Sequence, residues 1–322
     1  MVARTRYAPD RGLTVRMGLT MFLLGLVFVA FVAAIIGISI LFHASDGAIV
    51  FFAVVLGGGM AIGSLFYSDK IALSTAQAQV VSPTTSGEAA MVHGIVDRIC
   101  ALADMPKPRI AISPTDLPNA FATGRNSEHA VLCVTEGLIR RLTPEELEGV
   151  ISHEMSHVAH KDVMVMTIAS FLAIIAGLLI RFSFYGELFG GGGRRGGNNN
   201  NNQGALPILL IIMGVSIVVY AISFLLIRLL SRYREMAADR SGALLTGQPS
   251  ALASALTKVS GSIARIPTKD LREAQPLNAF FFAPALSAQQ AQSKIGELFS
   301  THPSLDKRLA QLAKISEQLG QR

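Results

Sequence analysis

The segment that most directly indicates chemistry is His153-Glu154-Met155-Ser156-His157, an H-E-x-x-H pattern. Residues four apart on an α-helix lie on one face, about one turn apart, so His153 and His157 can bind the same metal ion. Zinc suits two neutral imidazoles with an oxygen ligand, and it activates water for hydrolysis. Glu154 lies beside that face, where its carboxylate can take a proton from the water. The pattern therefore predicts one Zn²⁺ per chain and a hydrolytic site; the alternative is an exposed polar helix face.

A third ligand is expected on a second helix, and Glu235 is the strongest candidate. Glu235 and Asp239 are four residues apart in the segment EMAAD, so they share one helical face. Glu235 can then bind the metal, while Asp239 accepts a hydrogen bond from a ligand imidazole and fixes its tautomer. The alternative for this pair is a solvated charged face, because Arg234 and Arg240 flank it in the sequence.

Local sequence signals place the first motif on a helix next to a small sheet. Thr143-Pro144-Glu145-Glu146 has the residues of a helix start, with Thr143 as the N-cap and Glu146 closing a capping box. Residues 109–113 (RIAIS) and 130–134 (AVLCV) are short β-prone runs separated by turn-rich sequence. We predict a small antiparallel sheet from these runs.

Four apolar stretches must position the two motifs. They are residues 18–42, 47–67, 163–180 and 205–227. The first has 25 residues, which as a helix of about 37 Å can cross a hydrocarbon core of about 30 Å with some tilt. Hydrophobic residues make up 51% of the chain and charged residues only 16%, compared with about a quarter charged in soluble domains. The sequence therefore predicts a mainly α membrane protein with four transmembrane helices in a lipid bilayer.

Charge placement predicts the orientation. The net charge is +6, but the arginines cluster beside apolar runs, which fits orientation in a bilayer and not a nucleic-acid-binding face. Arg4, Arg6, Arg11 and Arg16 precede the first stretch, while the loop at 43–46 has no Lys or Arg. The N-terminus is therefore predicted to be cytoplasmic, and four crossings return the C-terminus to the same side. Arg181, Arg194 and Arg195 in the third loop oppose this orientation.

This topology divides the chain into five parts. The two membrane parts are a transmembrane hairpin (18–67) and a transmembrane pair (163–227), the latter joined by a flexible Gly/Asn-rich loop (181–204). The three cytoplasmic parts are an N-terminal segment (1–17), a catalytic part with the sheet and the H-E-x-x-H helix (68–162), and a second catalytic part with the third ligand (228–322). The first motif precedes the third stretch and Glu235 follows the fourth. Two crossings return the chain to the side that it left, so both motifs are expected at the same membrane surface.

The ordered motifs resemble those of the HtpX-type membrane zinc peptidases, relatives of the CAAX prenyl endopeptidases. In chain order these motifs are NAFATG (119–124) and HEMSH (153–157) between the two apolar pairs, and EMAAD (235–239) and HPSLDKR (302–308) after the second pair. The H-E-x-x-H pattern alone is shared by many zinc peptidases, whereas the ordered set is specific. The resemblance covers nearly the whole chain and implies a cytoplasmic zincin-like α+β catalytic domain.

The resemblance also implies a role for each matching residue. His153, His157 and Glu235 would be the zinc ligands, Glu154 the catalytic base, and Asp239 a partner of a ligand imidazole. His302 would help to stabilise the oxyanion, and Arg308 would brace the site. Asn119, Ala120, Phe121 and Ala122 would form an edge strand that pairs with an extended substrate.

The implied function is that of a zinc metalloendopeptidase in the cell (inner) membrane of a bacterial-type cell. It would act in quality control under stress, with unfolded or damaged membrane proteins as substrates and other membrane quality-control proteases as partners. The CAAX branch has more than four spans, so prenylated substrates are not expected.

Two alternatives remain open at this point. An intramembrane protease of the site-2 type would need its H-E-x-x-H inside an apolar span, whereas Glu145, Glu146, Glu148, Lys161 and Asp162 flank the motif here. A non-catalytic membrane scaffold or metal carrier would not require Glu154. A metal pathway would also favour ionisable residues inside the spans, and the four apolar stretches contain none.

Overall fold

The structure is a computed structural model, and it describes residues 11–41, 47–83, 87–190, 205–264 and 302–320. These residues form helices α1 (Arg11–Leu41), α2 (Gly47–Thr75), α3 (Glu88–Ala103), α4 (Glu136–Arg141), α5 (Pro144–Ala159), α6 (Asp162–Gly190), α7 (Ala205–Thr246), α8 (Pro249–Ala264) and α9 (Leu305–Gln318). The strands are β1 (Gln79–Val80), β2 (Arg109–Ser113), β3 (Ala120–Thr123) and β4 (Val131–Thr135). The fold is therefore mainly helical, as predicted.

The chain divides into two compact units, which are described separately. One comprises Gly18–Ser64 and Met166–Ile227, and the other comprises Met1–Met17, Leu65–Val165 and Arg228–Arg322. The first unit is apolar and helical, and the second contains the sheet. Both motifs with chemistry lie in the second unit.

In the first unit, α1, α6 and α7 pack around one apolar core. Its buried side chains include Phe31 from α1, Leu172 and Leu179 from α6, and Ile212 from α7. Large apolar side chains also point outward, and Phe22 is 67% exposed. Within the described residues, three helices are long and apolar enough to cross a membrane: Arg11–Ile38, Asp162–Tyr185 and Pro207–Thr246. An apolar exterior on such helices suits a lipid environment.

The sequence predicted a second span at residues 47–67 and a flexible loop at residues 181–204. Residues 47–67 form the N-terminal part of α2, and their crossing of the bilayer stays a prediction. Helix α6 continues through residues 181–190, which the sequence placed in the loop; the low-complexity residues 191–204 lie outside the described residues.

The sheet of the second unit is mixed, with strand order β1-β2-β4-β3. Strands β2 and β4 are parallel, whereas β1 pairs with β2 and β3 pairs with β4 in antiparallel fashion. The prediction of a purely antiparallel sheet was therefore wrong for the β2–β4 pair. The reason is that β4 returns between β2 and β3, so these two strands, adjacent in sequence, are not neighbours in the sheet. The continuous apolar run of β4, buried at all five positions, fits such a central strand.

Alternating side chains of the sheet pack on different helices. Ile110, Ala120, Leu132 and Val134 belong to the main core, together with residues of α3, α5, α8 and α9. Ala111, Phe121, Val131 and Cys133 instead pack on Ala72 and Ala76 at the end of α2. This follows from the two-residue period of a strand, which directs successive side chains to opposite faces. The sheet is thereby fixed between α5, which carries the first motif, and the end of α2.

Candidate metal centre

Helix α5 starts where the sequence predicted. The Thr143 N–H donates to Glu146 Oε2 (2.9 Å) and the Glu146 N–H donates to Thr143 Oγ1 (3.4 Å), which confirms the capping box. Glu146 also accepts hydrogen bonds from Ser254 Oγ (2.6 Å) and Lys258 Nζ (2.8 Å) on α8. The carboxylate therefore both caps α5 and fixes it to α8.

The two imidazoles of α5 converge as their spacing predicts. Their Nε2 atoms are 3.2 Å apart, and His153 is 1% exposed. Each Nδ1 atom faces a carboxylate: His153 Nδ1 lies 2.9 Å from Asp239 Oδ1, and His157 Nδ1 lies 2.5 Å from Asp162 Oδ2. A carboxylate at Nδ1 holds the proton there and leaves Nε2 as the lone-pair donor. Burial lowers the pKa of the His153 imidazole, against the opposing effect of Asp239, which favours the neutral form that binds metal.

Glu235 completes a triangle with these two nitrogens. Its Oε2 lies 3.7 Å from His153 Nε2, and its Oε1 lies 3.5 Å from His157 Nε2. Tetrahedral zinc with ligands at about 2.0–2.1 Å requires ligand atoms about 3.3–3.4 Å apart. The donor atoms are two imidazole nitrogens and a carboxylate oxygen, which are kinds of ligand that zinc prefers, and their separations suit a single zinc ion. Glu235 and Asp239 are buried, so the interpretation of this pair as a solvated charged face is wrong.

Glu154 is a second carboxylate at the imidazoles. His153, Glu154 and His157 offer ligand atoms that all lie within 4.8 Å of one another, which makes a possible metal-binding triad. Glu154 Oε2 accepts a hydrogen bond from the Ala122 N–H (3.2 Å), whereas Glu235 Oε2 lies 3.1 Å from His302 Nδ1. Burial raises the pKa of the Glu154 carboxyl to about 7, a range suited to a general base. Glu235 approaches both Nε2 atoms from a separate helix, at 3.7 and 3.5 Å.

The start of α9 supports the carboxylates of α7. Arg308 Nε and Nη2 donate to Asp239 Oδ2 and Oδ1 (2.7 and 2.6 Å), a bidentate contact in which both residues are buried. Arg308 Nη1 lies 3.7 Å from Glu235 Oε2, and His302 Nδ1 lies 3.1 Å from the same oxygen. The structure thus brings His302 and Arg308 to the two motifs, although they are far apart in sequence. Arg308 holds Asp239 in the orientation that contacts His153.

Sequence reasoning missed Asp162 as part of this site. Lys161 adopts a left-handed conformation (φ 56°) between α5 and α6, and this turn places Asp162 against His157. Asp162 also forms an ion pair with the buried Arg234 of α7. The available signal was an acidic residue five positions after His157, at the start of an apolar helix.

Strand β3 lies beside Glu154 and, in the described part of the sheet, has a paired neighbour on one side only. The Ala122 N–H points away from β4 toward Glu154. Asn119 donates its backbone N–H to Thr135 Oγ1 (2.9 Å) and accepts from the Thr135 N–H (3.0 Å), which anchors the strand at its start. The predicted substrate residues therefore lie next to the predicted base.

A close approach at Gly242 brings α7 to α5. A Cβ atom at Gly242 would lie 3.0 Å from the backbone nitrogen of His153 and 3.2 Å from its Cα. The Gly242 carbonyl also accepts a hydrogen bond from Ser152 Oγ (3.3 Å). The glycine therefore sets how near Glu235 and Asp239 come to the imidazoles.

We expect Gly242→Ala to destabilise the chain by about 1–3 kcal/mol, because the added methyl meets backbone that cannot rotate away. Metal affinity should fall as well, since His153 is displaced. The matched control is Gly94→Ala on α3, where an added Cβ meets no atom within 4 Å and helix propensity predicts a gain of up to about 1 kcal/mol. Denaturant unfolding of the detergent-solubilised proteins measures both changes. Equal stability of the two variants would contradict the role of Gly242.

A possible metal site of histidines and a glutamate, in a chain whose described residues include three helices long and apolar enough to cross a membrane, is typical of a multi-pass membrane metalloprotease. The profile of peptidase family M48 matches residues 86–316, and the chain belongs to this family. It is 55% identical to Protease HtpX homolog 1 of Streptomyces coelicolor, over 99% of this chain and 97% of that protein. It is 48% identical to the Protease HtpX homolog of Moorella thermoacetica, over 99% of each protein. The resemblance to HtpX-type proteases is therefore confirmed.

A solved structure shares the fold. The crystal structure of S. mikatae Ste24p aligns with a TM-score of 0.51 at 16% identity, covering 94% of this chain and 66% of that one. At this identity the comparison supports the arrangement of helices and the small sheet, and nothing about substrates.

Proposed function

We propose that this chain is a zinc-dependent endopeptidase that cleaves extended segments of unfolded or damaged membrane proteins. The observation that carries the proposal is the triangle formed by His153, His157 and Glu235, with donor separations of 3.2–3.7 Å, beside a glutamate that is not needed as a ligand. One Zn²⁺ per chain is the cofactor that fits these donors.

When bound, zinc supplies Lewis acidity toward a carbonyl oxygen and a water. Glu154 accepts the proton of the attacking water and then delivers it to the leaving amine. Asp239 and Asp162 keep the ligand imidazoles in one tautomer, and Arg308 holds Asp239 in place. His302, at the edge of the same cluster, donates a hydrogen bond to the developing oxyanion.

Substrate binding is assigned to Asn119, Ala120, Phe121 and Ala122. An edge strand recognises another strand through main-chain hydrogen bonds, which any extended segment can form. A folded protein has few such segments to offer, so the mode of binding selects unfolded chains. This selection supports a role in quality control under stress, with other membrane quality-control proteases as partners.

The proposed location is the inner membrane of a bacterial-type cell, with four spans. Residues 18–67 and 163–227 form the membrane part in this arrangement, and residues 1–17, 68–162 and 228–322 are cytoplasmic, including both termini and the active site. The excess of arginine before the first apolar stretch supports this orientation.

Metal removal and return test the proposal directly. The full chain, purified in detergent with a chelator, should not cleave an unfolded protein such as casein, and stoichiometric zinc should restore cleavage. A Mg²⁺ addition is the control, since Mg²⁺ prefers oxygen ligands and should not restore activity. Cleavage that persists in chelator, or that fails to return with bound zinc, would refute a zinc endopeptidase.

We expect Asp162→Asn to weaken zinc binding by about 10- to 100-fold, the effect of losing an outer partner of a ligand imidazole. Asp97→Asn is the matched control, since Asp97 pairs with Lys107 on the exposed side of α3. Competition between the protein and a fluorescent chelator measures the affinity in both variants. An unchanged affinity in Asp162→Asn would remove Asp162 from the metal centre.

A further inference from the structure

The unit that contains the sheet also has a cleft that the proposed peptidase chemistry does not use. It has a volume of about 300 Å³ and is lined by Phe66, Tyr67, Asp69, Lys70, Arg125 and His129. Its walls come from the C-terminal part of α2 and from the turn that follows β3. The lining combines aromatic rings with cationic groups, which is the chemistry of an anion site with an apolar border.

The turn after β3 is built to hold Arg125 in one place. Gly124 has a φ of 131°, and a Cβ there would lie 2.4 Å from the His129 carbonyl oxygen, so the turn closes tightly. His129 Nδ1 lies 2.8 Å from Asn126 Oδ1, which places the ring proton on Nδ1. His129 Nε2 then accepts a hydrogen bond from Arg125 Nη2 (2.7 Å).

The ring of Phe66 fixes the other side of the guanidinium. The Arg125 Cζ atom lies 5.1 Å from the centre of this ring, within the range of a cation–π contact. Arg125 is therefore held at one edge by His129 and at one face by Phe66. Its other N–H groups can donate to a planar pair of anionic oxygens.

The cleft carries net positive charge. Asp69 is neutralised by an ion pair with Arg109 (2.6 Å). Lys70 Nζ lies 5.4 Å from the ring centre of Tyr67. Among the described residues, neither Lys70 nor Arg125 has a carboxylate partner. Among the described lining residues, two cations thus accompany one carboxylate, and that carboxylate is paired with Arg109.

The aromatic wall places the cleft at the depth of lipid headgroups. Phe66 and Tyr67 end the apolar run 47–67, and they are 51% and 56% exposed. Exposed aromatic rings at the end of an apolar helix, followed by a basic residue such as Lys70, are typical of the boundary between hydrocarbon and headgroups. This step requires that α2 cross the bilayer, and it does not depend on proteolysis.

We propose that this cleft binds the phosphodiester headgroup of an anionic phospholipid such as phosphatidylglycerol. Arg125 donates two hydrogen bonds to the phosphate oxygens and Lys70 supplies a second positive charge. Phe66 and Tyr67 border the glycerol and the first methylene groups. Because Arg125 follows β3 after a single glycine, a bound lipid also fixes the end of the strand proposed to bind substrate.

The absence of tryptophan from the chain provides a direct test. Phe66→Trp introduces a single indole at the wall of the cleft, in a residue outside the peptidase machinery. We titrate the full-length variant in neutral detergent with short-chain phosphatidylglycerol and follow the indole emission. We expect a saturable change, and binding weaker by roughly tenfold or more when Lys70→Gln and Arg125→Gln are added.

Arg140→Gln with Lys314→Gln is the matched control, because it removes the same two kinds of charge from exposed positions elsewhere. This control should bind phosphatidylglycerol like the parent. Lys70→Gln alone changes an exposed position and should give an intermediate loss of affinity for phosphatidylglycerol. This single variant keeps the test valid if the double variant misfolds. Equal binding by the double variant, or an equal loss in the control, would overturn the proposal.

Comparison probes distinguish the source of the anion. Short-chain phosphatidylcholine and inorganic phosphate should each give a much weaker response than phosphatidylglycerol. An equal response to phosphatidylcholine would show that the net negative charge of the lipid is irrelevant, and an equal response to phosphate would show that the lipid is not required. Stronger binding of an acidic peptide would assign the cleft to a protein ligand; each of these results contradicts the lipid site.

Discussion

Glu154→Gln is expected to lower kcat/KM for an unfolded protein substrate by about 10²- to 10⁴-fold, the usual contribution of a general base. The amide has the shape of the carboxylate but cannot take a proton from water. It can still occupy the same place beside the Ala122 N–H, which lies 3.2 Å from the present carboxylate oxygen. The fold and the zinc content should therefore be retained, and metal analysis of the purified variant checks this directly.

The matched control is Glu145→Gln, the same chemical change at an exposed position in the first turn of the same helix. This variant should cleave at the parental rate. If Glu154→Gln cleaves as well as Glu145→Gln, Glu154 is not the base. If it loses its zinc, Glu154 is a ligand and the roles of the two glutamates are exchanged.

Glu235→Gln is expected to lose zinc, whereas Glu154→Gln is expected to retain it. Its carboxylate oxygens lie 3.5 and 3.7 Å from the two Nε2 atoms, and a neutral amide is a far weaker zinc ligand. We expect zinc affinity to fall by more than about 100-fold, since loss of an outer partner alone costs 10- to 100-fold. Cleavage should be lost at equimolar zinc.

Excess zinc separates this variant from Glu154→Gln. Part of the activity of Glu235→Gln should return as zinc is raised, because the base is intact, whereas Glu154→Gln should not respond. Glu317→Gln, at an exposed position on α9, serves as the charge-matched control and should bind zinc normally. Normal zinc affinity in Glu235→Gln would leave the His153–His157 pair without its proposed third ligand.

Local sequence establishes which residues of this site share one face of a helix. The four-residue spacing of His153 and His157 predicts their convergence because a single helix imposes it. The same argument places Glu235 and Asp239 on one face of α7. Nothing in the local sequence of either helix states that α5 and α7 meet, and the close approach at Gly242 is a feature of the folded chain.

Features that depend on distant parts of the chain were harder to predict. The contact of Arg308 with Asp239 joins residues 69 positions apart; the family resemblance implied that Arg308 braces the site, but not that it contacts Asp239. Asp162 escaped notice because its role requires the left-handed turn at Lys161, a conformation that lysine rarely adopts. The parallel pairing of β2 with β4 likewise depends on how the chain returns to the sheet and not on the composition of either strand.

The clamp between Arg308 and Asp239 has a consequence for biosynthesis. The imidazole pair leaves the ribosome first, Glu235 and Asp239 follow on α7, and Arg308 emerges after both. A nascent chain that still lacks α9 has no guanidinium to hold Asp239, so His153 loses its fixed partner. The order of synthesis therefore leaves the geometry around His153 incomplete until α9 has been made, so the proposed metal centre is expected to form late in synthesis.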